Sequence, residues 1–237
     1  MNELAPVEVR WLGLVAYEEA WDLQKRLVAD SRRAAHQDQL LLLEHPPVYT
    51  LGRSGHAEHL LLDEDTARRE GIAVYWVDRG GDVTYHGPGQ LVGYPILDLR
   101  RLYASRGLPR PDLHGYLREI EETIIRALDE LGIRGWRYKG FTGVWVDGDD
   151  GPSKIAAIGV KVSSNGVSSH GFALNVDPNL HHFRGIVPCG IQEYGVTSMA
   201  QLLGQPIAVG DVLAPLVAAF SRAFGLEVQF VTLPHSA

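Results

Sequence analysis

The chain has 237 residues, is 45% hydrophobic and 22% charged, and carries a formal net charge of −7. That length supports one substantial core, and the acidic balance argues against a nucleic-acid surface as the main business. A single cysteine excludes an internal disulfide and any multi-cysteine zinc site, and the longest apolar run, Leu40–Leu43, is too short for a bilayer. The acidic stretch Met1–Arg10 does not read as a signal peptide, so the expected compartment is the cytoplasm.

In chain order, β-branched and aromatic runs predict strands at Val7–Leu12, Leu40–Glu44, Val48–Leu51, Ala73–Asp78, Leu91–Leu97, Phe141–Val146, Ile155–Val162, Val167–Val176 and Glu227–Val231. Helical spacing recurs from Tyr17 to Val28, and a short acidic-led helix is expected near Asp63 to Glu70, stopped by Gly71. The clearest helix runs from Leu113 to Leu131, with Asp112 as its N-cap and Gly132 beyond its end. A turn of helix follows Ser198, and a last helix takes Asp211 as its cap and ends at Gly225. The turn at 147–152 joins two strands as a hairpin. Strands in groups, with helices between groups, predict an α+β fold: a mixed β-sheet flanked by helices in one domain spanning 1–237.

Charge is uneven. Residues 100–140 hold nine Lys/Arg against six Asp/Glu, among them Arg100, Arg101, Arg106, Arg110 and Arg118. This stretch is either a solvated helix face or a docking patch for an acidic partner.

Three clusters could carry chemistry. The glycine-rich loop Arg79–Gln90 turns sharply or lies against something bulky. It lacks the Gly-Lys-Ser/Thr of a phosphate loop, and a strand rather than a helix follows it. Arg79, Tyr85 and His86 make it a candidate ligand wall. The second cluster joins Lys154–Val162 to Ser169–Asn175; its Ala, Ile and Gly positions suit either an apolar chain lying across a strand or close packing of a helix. The third is Pro188-Cys189-Gly190-Ile191. A lone cysteine is more often a small buried hydrophobe, yet one held between Pro and Gly can be reached from one side.

These segments resemble, in the same order, the octanoyltransferases of lipoate biosynthesis. The resemblance rests on His45–Arg53, the Arg79–Gln90 loop with Tyr94-Pro95, Gly143–Val146, Lys154–Gly159, His170–Val176 and Pro188–Ile191. It implies the fold of the biotin and lipoate protein ligases. It also implies transfer of an octanoyl group from octanoyl-acyl carrier protein to a specific lysine of a lipoyl domain, as on 2-oxoacid dehydrogenase E2 subunits, or of the glycine-cleavage H protein. The family's active cysteine falls on Cys189 and its active lysine on Lys154. Its substrate contacts fall on Arg79, Gly80, Gly81, Asp82, Val83, Thr84, Tyr85 and His86, on Ala157, Ile158 and Gly159, and on Gly171, Phe172 and Ala173.

Passing an acyl group from a thioester to an amine is downhill, so no ATP or other cofactor is expected. A thiolate can split the step in two through an acyl-cysteine, and a lysine beside it can favour the thiolate and shuttle protons. Such a lysine must be able to lose its proton near neutrality, which a dry acyl pocket promotes. His86 and His170 are assigned to building the pocket. Two rivals remain: an ATP-dependent lipoate–protein ligase of the same fold, and a non-catalytic protein that binds acyl carrier protein or lipoyl domains.

Overall fold

The structure, a computed structural model, describes residues 4–31, 37–148, 151–187 and 194–231. Eleven strands are present among these: β1 (Val7–Leu14), β2 (Gln39–Glu44), β3 (Val48–Leu51), β4 (Ala73–Trp76), β5 (Val83–His86), β6 (Gln90–Ile96), β7 (Val144–Gly148), β8 (Gly151–Val162), β9 (Ser168–Asn175), β10 (Gly195–Val196) and β11 (Val228–Phe230). The helices are α1 (Tyr17–Asp30), α2 (Glu64–Arg69), α3 (Leu99–Ser105), α4 (Leu113–Glu130), α5 (Met199–Leu203) and α6 (Val209–Phe224).

The main sheet runs β10-β8-β9-β6-β2-β1-β11, with β7 also on β8. It is mixed, as expected: β1 is parallel to β2 and β11, whereas β2, β6, β9 and β8 are joined antiparallel. Alternation along β2 shows how it is covered on both faces. Leu40 and Leu42 pack with α4 and α6, while Leu41 and Leu43 pack against α1. A second sheet, β4-β3-β5, was not expected from the sequence and supplies a separate apolar cluster with α2.

Local signals explain most boundaries. Asp112 caps α4 through Gly115 N–H, Asp63 caps α2 through Thr66 N–H, and Ser198 caps α5 through Gln201 N–H. Gly225 closes α6 in the left-handed conformation. Two expectations need correction. Helix α6 begins two residues before Asp211, because Val209 is already buried in the core; the carboxylate sits inside the first turn rather than at the cap. The glycine-rich loop contains strand β5, which pairs antiparallel with β3, and α3 was not anticipated.

Strand β8 positions the site by changing partners near Ala156. Its first half, with Lys154, lies between β7 and β10, and its second half, with Ala157–Gly159, pairs with β9 on one side. Among the described residues no strand pairs with the other side of that second half, and there Gly80 N–H donates to Val160 O at 2.9 Å. The glycine loop thus bridges from the small sheet onto β8 and leaves a cleft beneath it.

Candidate active site

The loop rests on bare backbone. A Cβ at Gly52 would lie 2.3 Å from Gly81 O, and one at Gly159 would lie 2.8 Å from Gly80 O. Small residues therefore serve close approach of loop to strand, a third use beyond the two read from the sequence. Arg79 anchors the loop: its Nη2 donates to Thr50 O at 2.6 Å and Oγ1 at 2.9 Å, and Nη1 to Gly80 O at 3.0 Å.

The inner cleft is lined by most of the expected contacts: Arg79, Gly81, Asp82, Thr84, His86, Ala157, Ile158, Gly159, Gly171, Phe172 and Ala173. Val83 and Tyr85 do not line it. They alternate with Thr84 and His86 along β5 and so pack in the small sheet's core with Tyr49, Leu51 and Ile186. Two lining residues carried no role in the sequence reading, Tyr17 and Tyr94, while His170, assigned to the pocket there, lines it beside Gly171. Tyr94 stood within a quoted motif, but nothing in the order of residues shows which face of β6 it takes.

Lys154 lines a second, outer groove with Ser54, His56, His59 and Phe141. Groove and cleft meet at Gly81, Asp82, Ile158 and Gly159. The lysine is 8% exposed, and its Nζ stands 4.9 Å from the centroid of the Trp145 ring, within cation–π range. Gly143 makes room for it: at φ +122° a Cβ there would strike Ala156 O at 2.6 Å and reach the lysine Cε at 3.6 Å.

Cys189 lies outside the described residues. The chain before it is fixed by Val187 N–H donating to His59 O at 2.8 Å and by the Leu60–Ile186 bridge. The chain after it resumes at Tyr194, whose ring meets Trp145 at 5.4 Å and whose hydroxyl is 2.8 Å from that of Tyr138. Val196 then pairs with Lys154.

The model of the Lipoyl protein ligase A/B catalytic domain matches residues 16–221. The chain belongs to that family. It is 50% identical over 223 residues to an octanoyltransferase of Rubrobacter xylanophilus, covering 93% of this chain and 95% of the relative. With an octanoyltransferase of Chloroflexus aurantiacus it shares 48% over 225 residues, covering 95% and 97%. The fold is similar to that of a bi-partite lipoate protein ligase from Thermoplasma acidophilum, with a TM-score of 0.75 at 16% identity, covering 98% of this chain and 89% of that one. Within the lipoyl protein ligase A/B family the chain is an acyltransferase of the octanoyltransferase type, which serves lipoate biosynthesis. The fold is the lipoate-protein-ligase-like one expected.

The family member's cleft is lined by neutral imidazoles. Burial pushes His86 well below its ordinary value, pushes His45 behind it down to about 4, and lowers His170. Asp78 is held low by the His170 hydrogen bond, and Lys161 pairs with its other oxygen. Burial also raises Tyr17 and Tyr94, so both phenols keep their protons.

The basic stretch is mostly consumed internally. Arg101 pairs with Asp38, Arg106 with Glu119, Arg118 with Glu121, Arg126 with Glu122, and Arg137 with both Glu121 and Glu122. Arg100 donates to Ser164 O. No helix among the described residues is long and apolar enough to cross a membrane.

Proposed function

We propose that this acyltransferase moves an octanoyl group from octanoyl-acyl carrier protein to a lysine of lipoyl domains and of the glycine-cleavage H protein, through a thioester on Cys189. The observation that carries the reading is the buried Lys154 in a groove that opens into an apolar-floored cleft, with the described chain on both sides of Cys189 ending at that same groove.

The Cys189 thiolate attacks the donor's thioester carbonyl, the carbon–sulfur bond to the donor thiol breaks, and Lys154 protonates the departing thiolate. The acceptor amine then attacks the acyl-cysteine, its proton passes to the neutral Lys154, and the Cys189 thiolate leaves as the amide forms. Both halves balance without ATP. The Trp145 ring, 4.9 Å from Lys154 Nζ, holds the lysine's end at the groove. A cysteine kept as a free thiol suits a reducing compartment, and the cytoplasm belongs to the same proposal.

Mixing the protein with octanoyl-acyl carrier protein, without ATP, should add one octanoyl group by intact mass. The adduct should be labile to hydroxylamine and absent from Cys189→Ala. Retained transfer in Cys189→Ala, or a requirement for ATP with free octanoate, overturns the mechanism.

A further inference from the structure

Amide formation on the acceptor releases more protons than Lys154 can take. A lysine side chain ordinarily titrates at about 10.4, so at pH 7 only one acceptor amine in about 2,500 is neutral. The ammonium must lose one proton before its nitrogen can attack, and a second as the tetrahedral adduct collapses to the amide. Lys154, neutral after protonating the donor thiolate, accepts only one of the two. A second base is therefore needed where the acceptor amine enters.

His59 lines the same groove as Lys154, together with Asp82. It closes the short 3-10 turn Ala57–His59, its N–H donating to His56 O at 3.0 Å while its O accepts from Val187 N–H at 2.8 Å. Its Nδ1 is hydrogen-bonded to Asp82 Oδ2. The other oxygen, Asp82 Oδ1, accepts from Val83 N–H at 2.7 Å and from His56 N–H at 3.2 Å. Two backbone donors thus hold the carboxylate in place as an acceptor. The neutral ring must then carry its proton on Nδ1, which leaves the lone pair on Nε2. Among the described residues, none hydrogen-bonds to that Nε2.

The other imidazoles suit the step less well. His86 and His170 line the inner cleft rather than the groove, and both are buried. His56 lies in the groove with its ring 5.3 Å from that of His59, but among the described residues no carboxylate hydrogen-bonds to its ring. The His59 side chain is 25% exposed, so a proton it has taken up can pass to water between turnovers. We propose that His59, positioned by Asp82, is the base that takes the first proton from the acceptor's lysine ammonium, while Lys154 takes the second. His59 Nε2 accepts one N–H proton, the neutral amine attacks the thioester carbon, the second proton goes to Lys154, and the carbon–sulfur bond breaks as the amide forms. The imidazolium then gives its proton to water. Thioester plus ammonium thus yields amide, donor thiol and one solvent proton, which is the balance of the whole reaction. This rests on the acyl-transfer reading above.

The test separates the two halves by mixing the full chain with octanoyl-acyl carrier protein and then with a lipoyl domain at pH 7. The burst of donor thiol counts the sites that are folded and acylated, and amide formation is referred to that count. His59→Gln should slow acylation of the lipoyl domain by about 100-fold, and by at least about tenfold more than it slows the burst. With hydroxylamine, a nucleophile already neutral at pH 7, in place of the lipoyl domain, the loss should shrink to within about threefold. Asp82→Asn, of the same shape, should show the same split with a smaller loss, and it decides the matter if His59→Gln gives no burst. An equal loss with both nucleophiles, or no loss in either variant, overturns the inference. A native protein that gives no donor-thiol burst would count against the thioester reading instead, so the two failures are distinguishable.

Discussion

Acidification is expected to unfold this protein through its buried imidazoles, and His45 gives the measurable case. It is fully buried, with Nδ1 on Val15 O and Nε2 on the Tyr94 hydroxyl, and burial lowers it from 6.5 to about 4. Between those values the unfolded chain binds a proton that the folded chain refuses. The stabilising contribution is therefore complete above about pH 6.5 and is lost as pH falls toward 4. Each proton changes stability by about 1.4 kcal/mol per pH unit, so His45 alone accounts for about 3 kcal/mol across the window. His86 and His170 are lowered too and act with the same sign, while Asp78, held below its ordinary 3.8, adds acid sensitivity only under that value. Urea midpoints from pH 7.5 to 4.5 give the slope directly, provided the m-value stays constant. His45→Gln removes one titrating group, so between pH 6 and 5 its stability should fall less steeply by about 1.4 kcal/mol per pH unit. Equal slopes in the two proteins would refute the argument, whatever the variant's absolute stability.

Lys154→Met should slow acyl transfer by about 10²–10⁴-fold, read by donor-thiol release and acceptor acylation. Lys154→Arg should not restore it, since a guanidinium cannot give up its proton; full rescue would reduce the lysine to a fixed charge. Gly159→Ala should cost about 1–3 kcal/mol by thermal or urea unfolding, because the new Cβ would stand 2.8 Å from Gly80 O and 3.2 Å from Arg79 Cδ. Arg101→Glu should lower stability by about 1–2 kcal/mol, since it leaves the nearly buried Asp38 facing a carboxylate; the half-open arginine keeps the loss below that of a fully buried pair. Arg110 and Arg134 hold no ion pair among the described residues and are the better probes of carrier docking. Reversing both should slow acylation by the carrier protein at low salt without shifting the melting temperature, and unchanged rates would remove the docking-patch idea.

Elements whose signal is local were legible in order of residues. Helix α4 shows its apolar stripe, its Asp112 cap and its Gly132 stop within one stretch of chain, and β3 falls where its Val-Tyr-Thr-Leu run predicts. Elements that exist only through a distant partner were not. Strand β5 is hidden among glycines and forms because β3 is there to pair with it, and Asp211 looks like a cap until the burial of Val209 draws the helix start forward. The same division runs through the site. The sequence marked both walls of the cleft and Cys189 as candidate chemical segments through clustered glycines and a lone thiol, whereas Lys154 was singled out only through the family resemblance.

Sequence alone marked Lys154 and Cys189 as candidates for acyl chemistry through a resemblance, and that resemblance also pointed to the family to which the chain belongs. Only the tertiary structure decided their directions. It turned Val83 and Tyr85 into the small sheet's core while Thr84 and His86 faced the cleft, and it paired five arginines of the basic stretch with carboxylates of their own chain. It also set which nitrogen of His86 carries the proton. That last property depends on Thr197 O, more than a hundred residues away in the chain, acting through Asn175 and Gln90. Hydrogen-bond polarity is passed through space, so a residue's chemical role follows from its neighbours in the fold rather than its neighbours in the chain.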